Sequence, residues 1–392
     1  MRLRSAAILT VSMCASGMMR CPLEAADRGG ADVGTVVAHA VQPMMQRYGV
    51  PGMAVGVTFE GRSSVYDLGT MSKATGRPIA DDTLFEIGSL SKTFTATLAA
   101  YAQVEGKLSL TDPASRYVPA LRGSSFDKVS LLNLGTHTSG GMPLQFPDEV
   151  TNDEQVMRYF RQWTPSHAPG TVRTYANPSI GLLGMIAARS LDQEFDTLMD
   201  RSVFQALGLE HTYLHVPEAE TAHYAQGYTT ADVPVRMTPG VLASEAYGIR
   251  TTVGDMLRFV EVNMGMVAID GPLQQAIAAT HTGYYRVGPM TQDLIWEQYG
   301  YPVALDDLLA GNSARVSYEA NPVVRLDPPS PPRDDVLINK TGSTNGFGAY
   351  VAFVPARKVG IVLLANKNYP VDARVRAAYE ILTHLTEDVP GH

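Results

Sequence analysis

The sequence predicts an α+β fold in which the sheet is contributed by both ends of the chain and a mainly helical region is inserted between them. Near the N-terminus a helix-period stretch is followed by two strand-like runs. Near the C-terminus three apolar, strand-like runs are followed by a helix-period stretch. Between about residues 107 and 235 short helical patterns are broken by Pro and Gly, and no Pro/Gly/Ser-rich linker marks a separable module. The expected division is a discontinuous domain of residues 27–104 and 236–392, with residues 105–235 as the inserted helical region. With 392 residues, 45% of them hydrophobic and 18% charged, the chain is long enough for a sizeable core.

Taken in order, the first element is not part of the fold. Arg2 and Arg4 open a short basic start, an apolar run follows that is too short and too Ser-rich to span a bilayer, and the small residues around Ala25-Ala26 suit a signal peptidase. Residues 1–26 therefore read as a secretory signal peptide, which implies a periplasmic protein with no stable membrane attachment after cleavage. Neither Cys14 nor Cys21 is preceded by the small residue a lipoprotein signal requires. Both cysteines fall inside the signal, so the mature chain would have no disulfide, thiol nucleophile or Cys-bound metal. Cleavage removes three arginines and one glutamate and takes the formal charge from −8 to −10. An acidic exported chain does not read as a nucleic-acid binder.

From Val33 to Tyr48 apolar residues recur at helical spacing until Gly49-Val50-Pro51-Gly52 stops the run. MAVGVTF and SVYDLG, separated by Glu60-Gly61-Arg62, then read as two strands. From Ser89 to Glu105 one stripe carries Phe94, Leu98, Tyr101 and Val104, so a helix is expected to begin at Gly88-Ser89 and close at Gly106. Near the far end VLINKTG, GAYVAFVP and VGIVLLANK are the three strand-like runs, and Ala373–Leu385 is the last helix. Met44, Met45 and Met256 lie on helical stripes as core packing.

Chemistry concentrates at three places. In FEIGSLSKTF, Ser89 and Lys92 stand at i and i+3, on one face of a helix, whereas Ser91 points elsewhere. A serine hydroxyl needs a base within hydrogen-bond reach to act as a nucleophile, and free N–H groups at a helix start favour negative charge on its oxygen. The competing reading makes Ser89 an N-cap and Lys92 a solvated charge, and the same S-x-x-K spacing at Ser125–Lys128 lies among turn formers at the surface. Tyr175-Ala176-Asn177 supplies a phenol and an amide. A phenol between two ammonium groups loses its proton more easily and can act as a base. Lys340-Thr341-Gly342, on a predicted strand beside Ser343, can grip a carboxylate and let a ligand approach the backbone. Alone, Tyr175 reads as a core aromatic rather than a base, and Lys340 as a solvated strand charge. Ser343-Thr344-Asn345 imitates an S-x-N motif but directly abuts Lys340-Thr341-Gly342.

S-x-x-K, Y-x-N and K-T-G in this order resemble the signature of the serine β-lactamase and penicillin-binding protein superfamily. LFEIGSLSKTFTATLAAY, GGMPLQFPDEV, TYANPSIGLLG, LASEAYGIRTT, NKTGSTNGFGAYVAFVP and GIVLLANKNYP resemble class C (AmpC-type) β-lactamases, over about residues 30 to 388. The resemblance implies the serine β-lactamase/DD-peptidase-like fold: an antiparallel sheet with the terminal helices on one face, helices on the other, and the active site in the groove between. It implies Ser89 as nucleophile, Lys92 and Tyr175 sharing general-base work, and the backbone N–H groups of Ser89 and Ser343 as the oxyanion hole. Gln145 and Asn177 would hold the substrate amide, and Tyr247 would line the side-chain pocket. Lys340, counted with Ser89, Lys92 and Tyr175 among the catalytic residues, would meet the substrate carboxylate together with Thr341, Asn368 and Arg374, although Arg374 reads equally as a solvated charge. Gly342 would bind substrate by letting it approach the backbone. Two positions depart from the pattern the resemblance suggests: Asn345, where Gly is expected, and Val371, where Asn is expected.

The implied activity is hydrolysis of cephalosporins and penicillins by an exported monomer without cofactor or metal, giving antibiotic resistance. A DD-peptidase or a β-lactamase-like esterase shares the motifs, and a non-catalytic penicillin sensor would keep the acyl group. Class A enzymes use a Glu-x-x-x-Asn element to activate water, and no Asn of this chain has Glu four residues before it. His211, His215 and His223 lack a metal-binding pattern and read as surface residues.

Overall fold

The computed structural model describes residues 28–387; the expected signal peptide, 1–26, and both cysteines lie outside them. The chain begins with helix α1 (Arg28–Tyr48), strands β1 (Gly52–Phe59) and β2 (Arg62–Gly69), and helix α2 (Ser91–Val104). Helices α3 (Asn177–Ser190), α4 (Val253–Asn263) and α5 (Gly271–Thr280) follow, α3 and α5 packing on α2 and α4 on the sheet. The later strands are β3 (Gly283–Val287), β4 (Met290–Gln292), β5 (Glu297–Gly300), β6 (Val324–Ser330), β7 (Val336–Ser343), β8 (Gly348–Val354) and β9 (Val359–Ala365), before the closing helix α6 (Val371–Glu387).

Nine strands form one antiparallel sheet in the order β6-β3-β4-β5-β7-β8-β9-β1-β2. The two ends of the chain meet near one edge of it, one strand in from β2, where Met53 of β1 lies opposite Ala365 of β9 and Thr58 opposite Gly360. The sheet divides two apolar cores. Met53, Val55 and Val57 of β1, Tyr350, Ala352 and Val354 of β8, and Ile361 and Leu363 of β9 face α1 and α6. Their neighbours Ala54, Ala349, Val351, Phe353, Val362 and Leu364 face α2 and the middle helices. Successive strand residues point to opposite faces and both faces are covered, so these strands carry the continuous apolar runs that made them legible.

Four strands escape the sequence pattern. β3, β4 and β5 are short, and their inward residues include Gln292 and Glu297, buried polar groups that pair with Arg173 rather than with apolar neighbours. β6 contains Pro328 and Pro329 and survives as a strand because it lies at the sheet edge, where a missing N–H costs nothing.

The helix expected from Ser89 starts later. Gly88–Leu90 forms a single 3-10 turn, and the α-helix runs from Ser91 to Val104. Gly88 has φ +52°, and a Cβ there would lie 2.4 Å from the Ser343 carbonyl oxygen. On the facing strand, a Cβ at Gly342 would lie 1.9 Å from the Ile87 carbonyl oxygen. Two glycines thus let the end of β7 press backbone to backbone against the turn that carries Ser89. That contact positions the site.

Candidate active site

Ser89 sits on the 3-10 turn, and the Lys92 Nζ donates to its Oγ at 2.8 Å. The i,i+3 spacing delivers the amine as expected, and Lys92 is completely buried, donating also to the Ala246 carbonyl at 2.8 Å. Ser89 caps nothing with its side chain, so the N-cap reading fails. Ser91 is buried and accepts from the Ile249 N–H at 3.1 Å, a structural duty. The second S-x-x-K is equally settled: Ser125 donates to the Trp163 carbonyl and Lys128 is exposed.

Tyr175 follows the short strand Val172–Arg173, and its ring is surrounded by cations. Lys92 Nζ lies 5.2 Å and Lys340 Nζ 5.1 Å from the ring centroid, with the Arg173 guanidinium at 5.4 Å. Burial by itself would raise the phenol, but the charges of Lys340 and Lys92, with Ser89 nearby, outweigh it and bring Tyr175 down to about 8. Burial pulls the Lys92 ammonium down, with Lys340 in the same direction and Tyr175 opposing, also to about 8. Two groups this close share a proton and titrate as a pair. The Tyr175 hydroxyl is buried and makes no hydrogen bond of good geometry, which leaves it available to a reacting group.

Lys340 and Thr341 form the opposite wall on β7, and the Lys340 amine donates to the Thr341 carbonyl at 3.2 Å. The groove between them and Ser89 has a volume of about 530 Å³. Gly342, Ser343 and Asn368 lie on the same wall, and Gln145, Asn177 and Tyr247 line the other side. Asn177 starts α3, its N–H donates to the Leu144 carbonyl at 2.9 Å, and its Oδ1 has no protein partner. That free acceptor beside Gln145 suits an amide N–H of a ligand. Asn345 and Val371, the two departures, both line the groove.

Arg374 is placed differently from its expected role as a ligand of the substrate carboxylate. It is completely buried behind β7, where its guanidinium donates to the Gly342 carbonyl at 2.7 Å, the Ser343 Oγ at 2.9 Å, the Asn368 Oδ1 at 3.1 Å and the Tyr369 carbonyl. It braces the wall from behind. A position on the first turn of an amphipathic helix does not say whether a long side chain points to solvent or beneath a strand. The three noted histidines are dispersed: His215 pairs with Asp196 and His223 with Asp82, and the His211 N–H donates to Asp255.

Sequence reasoning missed the floor of the groove. Arg173 and Glu297 form a buried ion pair at 2.8 Å beneath Tyr175, with the Arg173 Nε donating to Gln292 at 2.6 Å. Arg173 stands two residues before Tyr175, but nothing local ties it to an acid on a strand that is itself hard to see. Met237 and Thr238, from an irregular segment, and the exposed Tyr318, at the end of the short helix Ala314–Tyr318, also line the groove, and neither segment carries a periodic signal.

An amine-activated serine, a phenol that loses its proton more easily than usual, a cationic wall and backbone N–H groups where the turn meets β7 can together form and break an acyl-serine. Comparison with known proteins agrees. A family model described as Beta-lactamase matches residues 37–385. The chain is 53% identical over 356 residues to a β-lactamase of Pseudomonas fluorescens, covering 91% of this chain and 99% of that one. It is similar to a class C β-lactamase solved in complex with cefoxitin, at TM-score 0.88 and 50% identity, covering 90% of this chain and 99% of the other. It is likewise similar to a structure described as the D-alanine carboxypeptidase AmpC from Burkholderia cenocepacia, at TM-score 0.87 and 53% identity over 90% of this chain and 99% of that one. The chain belongs to the beta-lactamase family, as a serine β-lactamase of class C.

Proposed function

We propose that this enzyme is exported to the periplasm and there hydrolyses cephalosporins and penicillins as a monomer, protecting the cell from them. The observation that carries the chemistry is the 2.8 Å contact of Lys92 with Ser89, beside a phenol held between two lysines. The Ser89 Oγ attacks the lactam carbonyl while its proton passes to the Lys92–Tyr175 pair. The C–N bond of the ring breaks, and Tyr175 returns the proton to the leaving nitrogen. Water then attacks the acyl-serine, giving one proton to the same pair; as the C–Oγ bond breaks, the pair returns that proton to the Ser89 Oγ, releasing the acid and the free serine. The N–H groups of Ser89 and Ser343 stabilise the oxyanion of both steps. Asn177 and Gln145 hold the substrate amide against Tyr247, and Lys340, Thr341 and Asn368 hold its carboxylate, with Arg374 keeping Asn368 and Ser343 in place. Export is supported by the basic start and short apolar run of residues 1–26.

The test is mass spectrometry of the mature protein mixed with cephalothin, beside the absorbance of the lactam bond. Fast absorbance loss with at most a transient adduct on Ser89 is the expected result. A stable adduct without turnover, together with cleavage of a D-alanyl-D-alanine peptide, would replace this reading by a peptidase.

The titrating pair gives a second expectation. One proton must leave Lys92 and Tyr175 together for acylation, so kcat/KM should fall as pH drops through about 8, the value toward which both groups are drawn. The charge of Lys340 lowers both groups. Lys340→Ala therefore raises both, and the acid limb should move upward by about one pH unit, with weaker binding of the carboxylate besides. A limb that stays in place while KM alone rises would remove Lys340 from the proton chemistry.

A further inference from the structure

His137 lies outside every motif described above, yet it touches the Tyr175 segment at three points. It follows the short helix Leu131–Gly135, is 1% exposed and has φ +59°, a left-handed conformation uncommon for residues with a side chain. Its carbonyl accepts from the Thr174 N–H at 2.8 Å. Its Nδ1 accepts from the Ala176 N–H at 3.3 Å. Between these two bonds its ring packs on the Tyr175 ring, with centroids 4.2 Å apart and planes inclined by 39°. The residues immediately before and after the phenol are thus both tied to one histidine, and the phenol ring leans on that histidine's own ring.

The chemistry of the clamp is specific. A ring nitrogen that accepts from a backbone amide cannot carry a proton, so the imidazole is the Nε2–H tautomer and neutral. Its Nε2 is buried with no hydrogen-bond partner, so the ring makes no competing attachment. The charged groups around it are Arg173, Lys92 on α2 and Lys340 on β7; burial first, and then these three cations, hold His137 well below the ordinary histidine range. The clamp therefore does not open by protonation in the range where Tyr175 and Lys92 titrate.

We propose that His137 is a positioning residue for Tyr175, holding the phenol between Lys92 and Lys340 through two hydrogen bonds and a ring contact. The proposal rests on the reading of Tyr175 as part of the general base, and backbone strain at an αL residue is kept where the surrounding contacts require it. Its consequence is electrostatic: the ease with which Tyr175 loses its proton depends on its distance from two ammonium groups, so a loosened phenol titrates higher.

The decisive measurement is the titration of Tyr175 by NMR of 13C-labelled tyrosine, assigned by subtraction of Tyr175→Phe, in the wild type and in His137→Ala, His137→Asn and His137→Phe. It needs no turnover. The expected result is an upward shift of the Tyr175 midpoint by about half a unit or more in His137→Ala, with acylation by cephalothin slowed about tenfold or more and KM nearly unchanged. Asn tolerates αL geometry and can accept from Ala176, so His137→Asn should recover part of both effects. His137→Phe keeps a ring and loses the acceptor, and should fall between. Folded variants with an unshifted Tyr175 midpoint, or a rate loss uniform in pH with no shift, would overturn the proposal. If His137→Ala does not fold, His137→Asn and His137→Phe decide it by the same readout. A wild type whose Tyr175 responds to these changes but which turns over no β-lactam would refute the proposed function and leave the clamp standing.

Discussion

Ser89→Ala is expected to reduce kcat/KM for cephalothin by about 10⁴-fold or more, roughly 5 kcal/mol of transition-state stabilisation. The oxygen removed is the one Lys92 contacts at 2.8 Å. Ser91, two residues on, is buried and committed to the Ile249 N–H. The mass shift of the acyl-enzyme should vanish in Ser89→Ala, while Ser91→Ala should retain it and lose about 1–3 kcal/mol of stability for an N–H left unpaired. Intact-mass spectrometry after seconds of mixing, with denaturant unfolding of both variants, checks the two halves. An adduct that persists in Ser89→Ala would mean that the nucleophile lies elsewhere.

Gly342→Ala is the second substitution of large expected effect, and it adds a single methyl group without touching any reacting atom. The new Cβ would lie 1.9 Å from the Ile87 carbonyl oxygen and 3.1 Å from the Leu90 nitrogen. Those two atoms close the turn that carries Ser89, since the Leu90 N–H donates to the Ile87 carbonyl at 3.2 Å. Neither can yield alone, so β7 must move away from the turn by more than about 1 Å. A displacement of that size separates the N–H groups of Ser89 and Ser343 from their common target and should cost about 10²- to 10³-fold in acylation rate. Pre-steady-state mixing with nitrocefin reads this directly, and circular dichroism reports whether the variant folds. Acylation at the wild-type rate would show that the glycine serves packing alone.

The difference between Ser89 and Gly342 illustrates what is legible in the sequence. Ser89 and Lys92 were paired from spacing alone because i,i+3 geometry is local and needs no knowledge of the fold. The terminal strands were legible because a strand covered on both faces is apolar throughout, as in VGIVLLA of β9. Polar strands hid: Gln292 and Glu297 are buried only because Arg173, more than a hundred residues earlier, reaches them. The helix start was misplaced to Ser89 because the stripe of apolar residues does not distinguish a 3-10 turn from a first α-helical turn, and Gly88 allows the tighter geometry.

By itself the sequence determined the fold class, the order of the motifs and the placing of Ser89 and Lys92 on one face, because each is written in short-range spacing or in apolar periodicity; Tyr175 stood out only through the resemblance of its Y-x-N motif to a known family. Tertiary structure alone decided the rest. It turned Arg374 under the strand instead of toward a ligand, and brought Lys340 to within 5.1 Å of the Tyr175 ring centroid. It also set His137 against the phenol from a turn nearly forty residues before it. Charge, burial and contact at these positions depend on segments far apart in the chain, and electrostatic strength depends on the distances and the dielectric that only their packing creates.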